Sequence, residues 1–195
     1  MDESRIPQVV KQTRASGVWM VPTEVLFVNL LNDENPQAMA KRPEMKYATP
    51  QQVQNWIAQK QKMMQVPAAD RQKFLALRRT LIKRLHDAGV PFALGSDAPQ
   101  WWNVPGFSVH RELQVLVAAG LTPYQALRTG TANVAEHFGT SNTAGTVTRG
   151  KRADLVLLDA NPLDDIANSS RIAGVMLNGR WLPKAEIDRR LEAGK

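Results

Sequence analysis

The chain has 195 residues, of which 43% are apolar and 22% are charged. These values are typical of a globular protein with one domain, or with one domain and a small second one. Because the sequence contains no cysteine, it excludes disulfides, a thiolate nucleophile and cysteine-ligated zinc or iron–sulfur sites. The length also excludes a complete eight-stranded β/α barrel, which needs about 250 residues.

The net charge of +7 is concentrated in one part of the sequence. Residues 41–84 contain eleven basic residues and two acidic ones. Much of this basic run lies at helical spacing between apolar positions, which favours a solvated helix face; a nucleic-acid-binding surface is the alternative. Since no nucleic-acid-binding motif accompanies the run, we expect no nucleic acid as partner.

The first predicted element is a buried strand over residues 17–21, which ends at Pro22. Residues 32–48 are polar and contain several prolines, so we expect a loop or excursion there. A helix is predicted from Thr49 to about residue 65, because Thr49 is a good N-cap, a proline follows it, and Gln52 can complete a capping box.

A helix and a buried strand follow in direct succession. Apolar residues at helical spacing predict a helix over residues 70–88, and Gly89 is typical of a helix end. The apolar run 90–94 then predicts a short strand buried on both faces, as in a parallel sheet. A helix, a glycine and a buried strand in this order indicate an α/β unit.

Two more helical regions precede a change of pattern. A helix is predicted over residues 109–119, and the capping residues Thr122 and Gln125 begin a further helical region that ends near Gly139. After it come four predicted short strands, at residues 146–147, 153–159, 174–177 and 180–182. Asn178-Gly179 lies between the last two strands and predicts a tight hairpin.

Asp97 is the first candidate functional residue. It follows the predicted strand 90–94 by three positions, and the carboxyl ends of such strands are where active sites of α/β folds gather. Gly95 and Ser96 permit tight backbone geometry beside it. The alternative is a structural aspartate that caps the loop or helix after it.

The histidines and tryptophans allow several interpretations. His110 is expected in the first turn of a helix, near the same end of the sheet as Asp97, either at a site or as a packing residue. His86 and His137 lie in the last turns of their helices, where a cation favours the helix dipole. Trp101 and Trp102 either line a pocket mouth or pack the loop 98–108 onto the protein.

Several motifs in order resemble the C-terminal end of the amidohydrolase superfamily, above all its imidazolonepropionase-like and dipeptidase-like metal-dependent hydrolases. They are GVPFALGSDAP at 89–99, PGFSVHRELQVLVAAGLTPYQALRTGTANVAEHFG at 105–139, and AGTVTRGKRADLVLLDANPLDDIANSSRIAGVMLNGRWL at 144–182. In addition, GVWMVPTE at 17–24 resembles strand seven of that family's barrel.

The resemblance implies an α/β fold: a C-terminal fragment of a (β/α)8 TIM barrel followed by short strands of a small β-sandwich. Residues 1–140 would then be the partial barrel with strands seven and eight, and residues 141–195 the sandwich strands and tail. The matching turns at 150–155 and 161–163 would be structural.

The resemblance also implies roles for two side chains. Asp97 matches the strand-eight aspartate of the family, which touches a divalent metal, usually zinc, accepts a proton from the metal-bound water and passes it to the leaving amine. His110 matches a histidine common in the subgroup after strand eight, which implies contact with the substrate or with a residue that contacts it. The implied reaction is hydrolysis of a C–N bond in a small-molecule amide, cyclic amide or dipeptide.

The other metal ligands of the family are missing from this sequence. It has no His-x-His motif, and no histidine precedes His86. A catalytic zinc typically takes three protein ligands, so one aspartate is not expected to hold a metal tightly in this chain alone. We therefore expect the isolated chain to be inactive and its partner to be a missing N-terminal barrel segment or a complementary chain.

Two other functions stay open at this point. One is a non-catalytic truncated remnant or assembly module, whose exposed barrel faces would be covered by self-association. The other is a basic nucleic-acid-binding protein, which depends on residues 41–84 alone. No run of about 18 apolar residues predicts a membrane span, and the compartment is left open.

Overall fold

The computed structural model describes residues 3–193. By its backbone contacts the chain divides into two compact units, Met1–Leu121 and Thr122–Lys195. This division lies before the predicted domain boundary at residue 140, and the assignment of the two parts to a barrel and a sandwich stays a prediction.

The first unit is built from helices. Those of its described residues are α1 (Ile6–Ser16), α2 (Glu24–Leu31), α3 (Pro36–Met39), α4 (Pro50–Met63), α5 (Ala68–Asp87) and α6 (Ser108–Ala118), with short 3-10 helices at Glu3–Arg5 and Pro43–Tyr47. Helix α2 packs against α4, α5 and α6, and α1 packs against α5. The core therefore surrounds α2.

The predicted helices α4, α5 and α6 are confirmed. At the start of α4, the Thr49 hydroxyl accepts the Gln52 backbone N–H, and the Gln52 side chain accepts the Thr49 N–H, as the capping box requires. Helix α2 was not predicted, because its apolar run is too short for periodicity to distinguish a buried helix from a strand. The excursion 32–48 contains α3 and the second 3-10 helix.

The two predicted strands of this unit are shorter than expected. Gly17 is the left-handed C-cap of α1, and residues 18–21 and 90–94 meet at one parallel bridge, between Met20 and Phe92. The Met20 N–H donates to the Pro91 carbonyl at 2.9 Å, and the Ala93 N–H donates to the Met20 carbonyl at 2.9 Å. The parallel neighbours are present, although the ladder is too short to count as a sheet.

The second unit combines short helices with a sheet. Its described elements are α7 (Pro123–Thr129), α8 (Ala132–His137), β1 (Leu155–Leu158), a 3-10 helix (Ile166–Ser170), β2 (Ile172–Leu177), β3 (Arg180–Pro183) and α9 (Lys184–Ala193). The three strands form an antiparallel sheet in the order β1-β2-β3.

The hairpin between β2 and β3 is confirmed. Asn178 and Gly179 both have positive φ, 49° and 78°, as this class of two-residue turn requires. The strand predicted at 146–147 is wrong: these residues lie in an exposed irregular segment that pairs with no strand in residues 3–193. Helix α9 was not predicted.

In residues 3–193, no helix combines the length and the apolar character needed to cross a membrane.

Candidate functional site

The two extended segments approach each other closely at their carboxyl ends. A Cβ added to Gly95 would lie 2.5 Å from Val21 Cγ1, so a larger residue at 95 would require the Val21 side chain to move. This contact continues the parallel pairing of Met20 with Phe92 beyond the bridge. The loop after residue 94 therefore begins next to the end of the segment 17–22.

Asp97 lies in this loop, directly beyond the paired segments, and its side chain is exposed. Its φ is +53°, in the left-handed region that aspartate tolerates better than most residues. Its carbonyl accepts the Gln100 N–H at 3.2 Å, which closes a turn. The structure thus places Asp97 just beyond the carboxyl ends of the paired segments, and its functional role stays a prediction.

His110 lies in the first turn of α6 and is partly buried. Burial lowers the pKa of its imidazole. The link between this helix and the Asp97 loop is a hydrogen bond of 2.7 Å between the hydroxyls of Ser96 and Ser108. The Ser108 hydroxyl also lies within hydrogen-bond distance of the Val104 carbonyl, at 3.1 Å. The structure therefore brings the elements of Asp97 and His110 together.

A buried asparagine pair also holds the loop, and sequence reasoning missed it. The Asn103 side-chain amide donates to the Ser96 carbonyl, and the Asn29 amide of α2 donates to Asn103 Oδ1 at 2.8 Å. Asn103 is 0% exposed and Asn29 is 3% exposed. Neither asparagine belongs to a motif or to an apolar repeat. The sequence therefore contains no sign of this hydrogen bond, which joins residues 74 positions apart.

The tryptophans pack the loop onto the protein. Trp102 is buried in a cluster with Met39, Met45, Trp56 and Val104, and the Trp102 and Trp56 rings are 5.8 Å apart. The excursion 32–48 and α4 thereby cover the loop from one side. Of the two interpretations of these tryptophans, the structure favours packing.

The N-terminus of α2 is capped by a carboxylate from α6. Glu112 is fully buried, and its two oxygens accept the backbone N–H groups of Glu24 (3.0 Å) and Val25 (2.6 Å). Burial raises the pKa of Glu112 to about 7, against the opposing effect of these two bonds. Burial also raises the pKa of Glu24, whose Oε2 accepts from Arg78 at 2.7 Å.

The C-terminus of α2 is capped by cations. The Lys60 ammonium is buried and donates to the carbonyls of Asn29 (2.6 Å) and Asn32 (3.0 Å). Arg71 donates to the Leu31 carbonyl at 3.1 Å and pairs with Asp33. Carboxylate at the N-terminus and cations at the C-terminus both favour the helix dipole. Burial lowers the pKa of Lys60 to about 8.

Much of the basic run 41–84 thus has structural partners. Besides Lys60 and Arg71, three of its side chains pair with carboxylates: Arg42 with Glu34, Arg78 with Glu24, and Lys83 with Asp87. These pairs favour the interpretation as helix faces and internal caps over a nucleic-acid-binding surface.

The residues near Asp97 do not fit a metal ion by themselves. Within residues 3–193, no group of three or more His, Asp or Glu side chains lies close enough to hold one. The polar neighbours of the loop are hydroxyls and amides, and zinc prefers histidine nitrogen and carboxylate oxygen. Near this loop, the described residues present one carboxylate, that of Asp97.

Comparison with known proteins agrees with the motifs. The sequence model of the amidohydrolase family matches residues 1–182. The imidazolonepropionase of Geobacillus kaustophilus (strain HTA426) is 34% identical over 91 residues, which are 44% of this chain and 20% of that protein. The chain therefore spans about a fifth of the length of this relative.

Solved structures show the same partial coverage. A putative prolidase from Bifidobacterium longum has a TM-score of 0.57 and 27% identity, over 90% of this chain and 39% of the prolidase. A bottromycin amidohydrolase has a TM-score of 0.66 and 24% identity, over 90% of this chain and 40% of that protein. The resemblance seen in the motifs is confirmed, and the described fold is similar to a part of these larger structures.

Proposed function

Since the chain belongs to the amidohydrolase family, we propose that it forms the C-terminal part of a metal-dependent hydrolase that cleaves a C–N bond in a small amide, cyclic amide or dipeptide. The observation that carries the proposal is the place of Asp97, directly after two parallel segments that resemble strands seven and eight of the family's barrel. The similarity to an imidazolonepropionase and to a putative prolidase supports this class of bond.

Asp97 is the proposed catalytic carboxylate. An exposed carboxylate at this end of the segments can accept a proton from a water that attacks a carbonyl carbon, and can then donate it to the leaving nitrogen. These two steps balance, because the proton that the water loses is the proton that the leaving nitrogen gains, and the amine departs neutral. His110 is proposed to contact the substrate, and the burial that lowers its pKa favours a neutral imidazole.

The metal, which is zinc in the proposal, would be held by ligands from another segment of polypeptide. Neighbouring strands of a barrel would pair with the outer edges of the segments 17–22 and 90–96, which face away from the bridge that the two segments share. Val18 and Val21, which are 47% and 49% exposed, would be covered there. This partner is a missing N-terminal barrel segment or a complementary chain.

The test is reconstitution of the enzyme. Residues 1–195 are expressed alone and together with the polypeptide encoded directly upstream, and bound zinc and the hydrolysis of N-acyl amino acids and dipeptides are measured. We expect neither stoichiometric zinc nor turnover from the chain alone. Turnover should appear with the upstream polypeptide, and Asp97→Asn should abolish it.

Asp164→Asn is the matched control, since Asp164 is an exposed aspartate of the second unit. Together with the upstream polypeptide, the Asp164→Asn chain should turn over substrate as fast as the unmodified chain does. Stoichiometric zinc and turnover from residues 1–195 alone would contradict the proposed division of ligands. If the upstream DNA encodes no His-x-His segment and no turnover appears, the remnant or assembly module is the function to retain.

A further inference from the structure

One side chain closes the loop that carries Asp97. The Asn103 Nδ2 group donates to the carbonyl oxygen of Ser96, which belongs to the peptide group that joins Ser96 to Asp97. Inside the loop, the Asn103 N–H donates to the Gln100 carbonyl at 2.8 Å, and the Gln100 N–H donates to the Asp97 carbonyl at 3.2 Å. Residues 96–103 are therefore tied at both ends.

The orientation of the Asn103 amide is itself determined. Its Oδ1 accepts from Asn29 Nδ2 at 2.8 Å, so its Nδ2 is left to face Ser96. The Asn29 amide is held in turn, because its Oδ1 accepts from Arg42 at 3.3 Å, and its backbone carbonyl accepts from Lys60 at 2.6 Å. The chain of bonds runs from the capped end of α2 to the peptide group before Asp97.

A restraint of this kind is needed because the loop is in an unfavourable conformation. Asp97 has a φ of +53° and its side chain is exposed, so packing of the side chain does not fix its direction. Asn103, in contrast, is 0% exposed. A buried amide costs free energy unless its hydrogen bonds are made, and both ends of this amide are bonded.

We infer that Asn103 is a positioning residue: by closing the loop 96–103 it sets the direction in which the Asp97 carboxylate leaves the end of the segment 90–94. This inference rests on the proposed function, which gives Asp97 its catalytic role. Asn103 itself does not touch the reacting atoms in this proposal, and it acts through the peptide group before Asp97.

The test measures backbone amide hydrogen exchange by NMR in the intact chain. In Asn103→Ala we expect the Gln100 amide hydrogen to exchange about tenfold faster, because the variant lacks one hydrogen bond that closes the loop. The Gln52 and Gln125 amides, which are bonded in the capping boxes of α4 and α7, should keep theirs.

Asn55→Ala is the matched control, because Asn55 is exposed and accepts a bond from Gln51 in the same helix. It should leave the Gln100 amide unchanged. An unchanged Gln100 amide in Asn103→Ala would overturn the inference, and so would an equal loss at Gln52, which would make Asn103 a residue of general stability.

Ser108→Ala keeps the inference testable if Asn103→Ala does not fold. It removes the bond between Ser96 and Ser108 but leaves Asn103 in place, so the Gln100 amide should keep most of its protection. Loss of protection as large as tenfold in Ser108→Ala would assign closure of the loop to the serine pair and overturn the inference.

The reconstituted enzyme separates this inference from the proposed function. With Asn103→Ala we expect kcat to fall while KM changes little, since the carboxylate is displaced and the substrate contacts remain. If Asp97→Asn retains full turnover, the proposed function fails whatever the loop does. If Asp97→Asn is inactive while Asn103→Ala keeps its kcat and its Gln100 protection, only the positioning role fails.

Discussion

The two compact units differ in the groups that they bury. Among its described residues, the first unit buries five charged side chains. Four of them lie around α2, namely Glu24, Lys60, Arg71 and Glu112, and the fifth, Glu44, pairs with Arg111. In the described part of the second unit, the buried polar side chains are uncharged, Thr129 and Ser169. Its sheet exposes large apolar side chains instead, among them Val156 and Leu157 at 56% each.

This difference indicates where each unit obtains its structure. In the first unit, buried charges bond the ends of one central helix, so the place of α2 and of the loop bonded to it is specified by long-range contacts. In the second unit, local rules suffice: a capping box, a two-residue turn and the pairing of strands that follow one another in the chain. Stability should therefore respond differently to similar substitutions in the two units.

The largest expected effect comes from truncating a leucine in each unit. Leu116 is 0% exposed, so Leu116→Ala should lower the free energy of unfolding by about 2–5 kcal/mol. Leu157 is 56% exposed, and Leu157→Ala should cost about 0.5 kcal/mol or less. Urea unfolding followed by far-UV circular dichroism measures both values. Equal losses in the two variants would contradict the comparison.

The next effect is a pH dependence that belongs to the first unit. The pKa of Glu112 is about 7 in the folded chain, against an ordinary value of 4.5. The folded chain thus binds more protons than the unfolded chain between these values, and stability should fall by about 2–3 kcal/mol as the pH rises from about 4.5 to about 7. The raised pKa of Glu24 acts in the same direction.

Glu112→Gln should flatten this profile, because the glutamine does not titrate but can still accept a backbone N–H. Thermal unfolding at a series of pH values measures it. Glu136→Gln, at an exposed glutamate of the second unit, is the control and should keep the slope of the unmodified chain. A Glu112→Gln slope equal to that of the unmodified chain would assign the dependence to other groups.

The smallest expected effect is inside the sheet of the second unit. A Cβ on Gly174 would lie 2.3 Å from the Trp181 ring, so Gly174→Ala should destabilise the sheet by about 1–2 kcal/mol. In a Trp181→Ala background the same substitution should cost less, since the ring is gone. A double-mutant cycle in urea measures the difference, and a coupling of zero would show that the ring moves aside freely.

The features that the sequence predicted depend on neighbouring residues. Thr49 and Gln52 determine the start of α4 by bonds over three positions, and Thr122 and Gln125 do the same for α7. Asn178-Gly179 determines its hairpin by backbone conformation alone. Asp97 could be placed at the end of an extended segment for the same reason, because the apolar run before it is local.

The rest of the site depends on contacts between distant residues. Glu112 caps a helix whose bonded N–H groups are 87 and 88 positions away, and Asn29 is 74 positions from Asn103. A single sequence contains no local signal for such pairs. The strand at 146–147 was predicted wrongly because β propensity in a short segment depends on a ladder partner, which this segment lacks in the described residues.

The bridge between Met20 and Phe92 also has a consequence for how the first unit folds. It joins residues about 70 positions apart, and closing so long a loop costs entropy before it gains any contact. We expect the intervening helices to form first and the bridge to close late, in one cooperative step. The segment that precedes Asp97 would then acquire its final alignment only after α2 and α5 have brought the residues near position 20 to meet it.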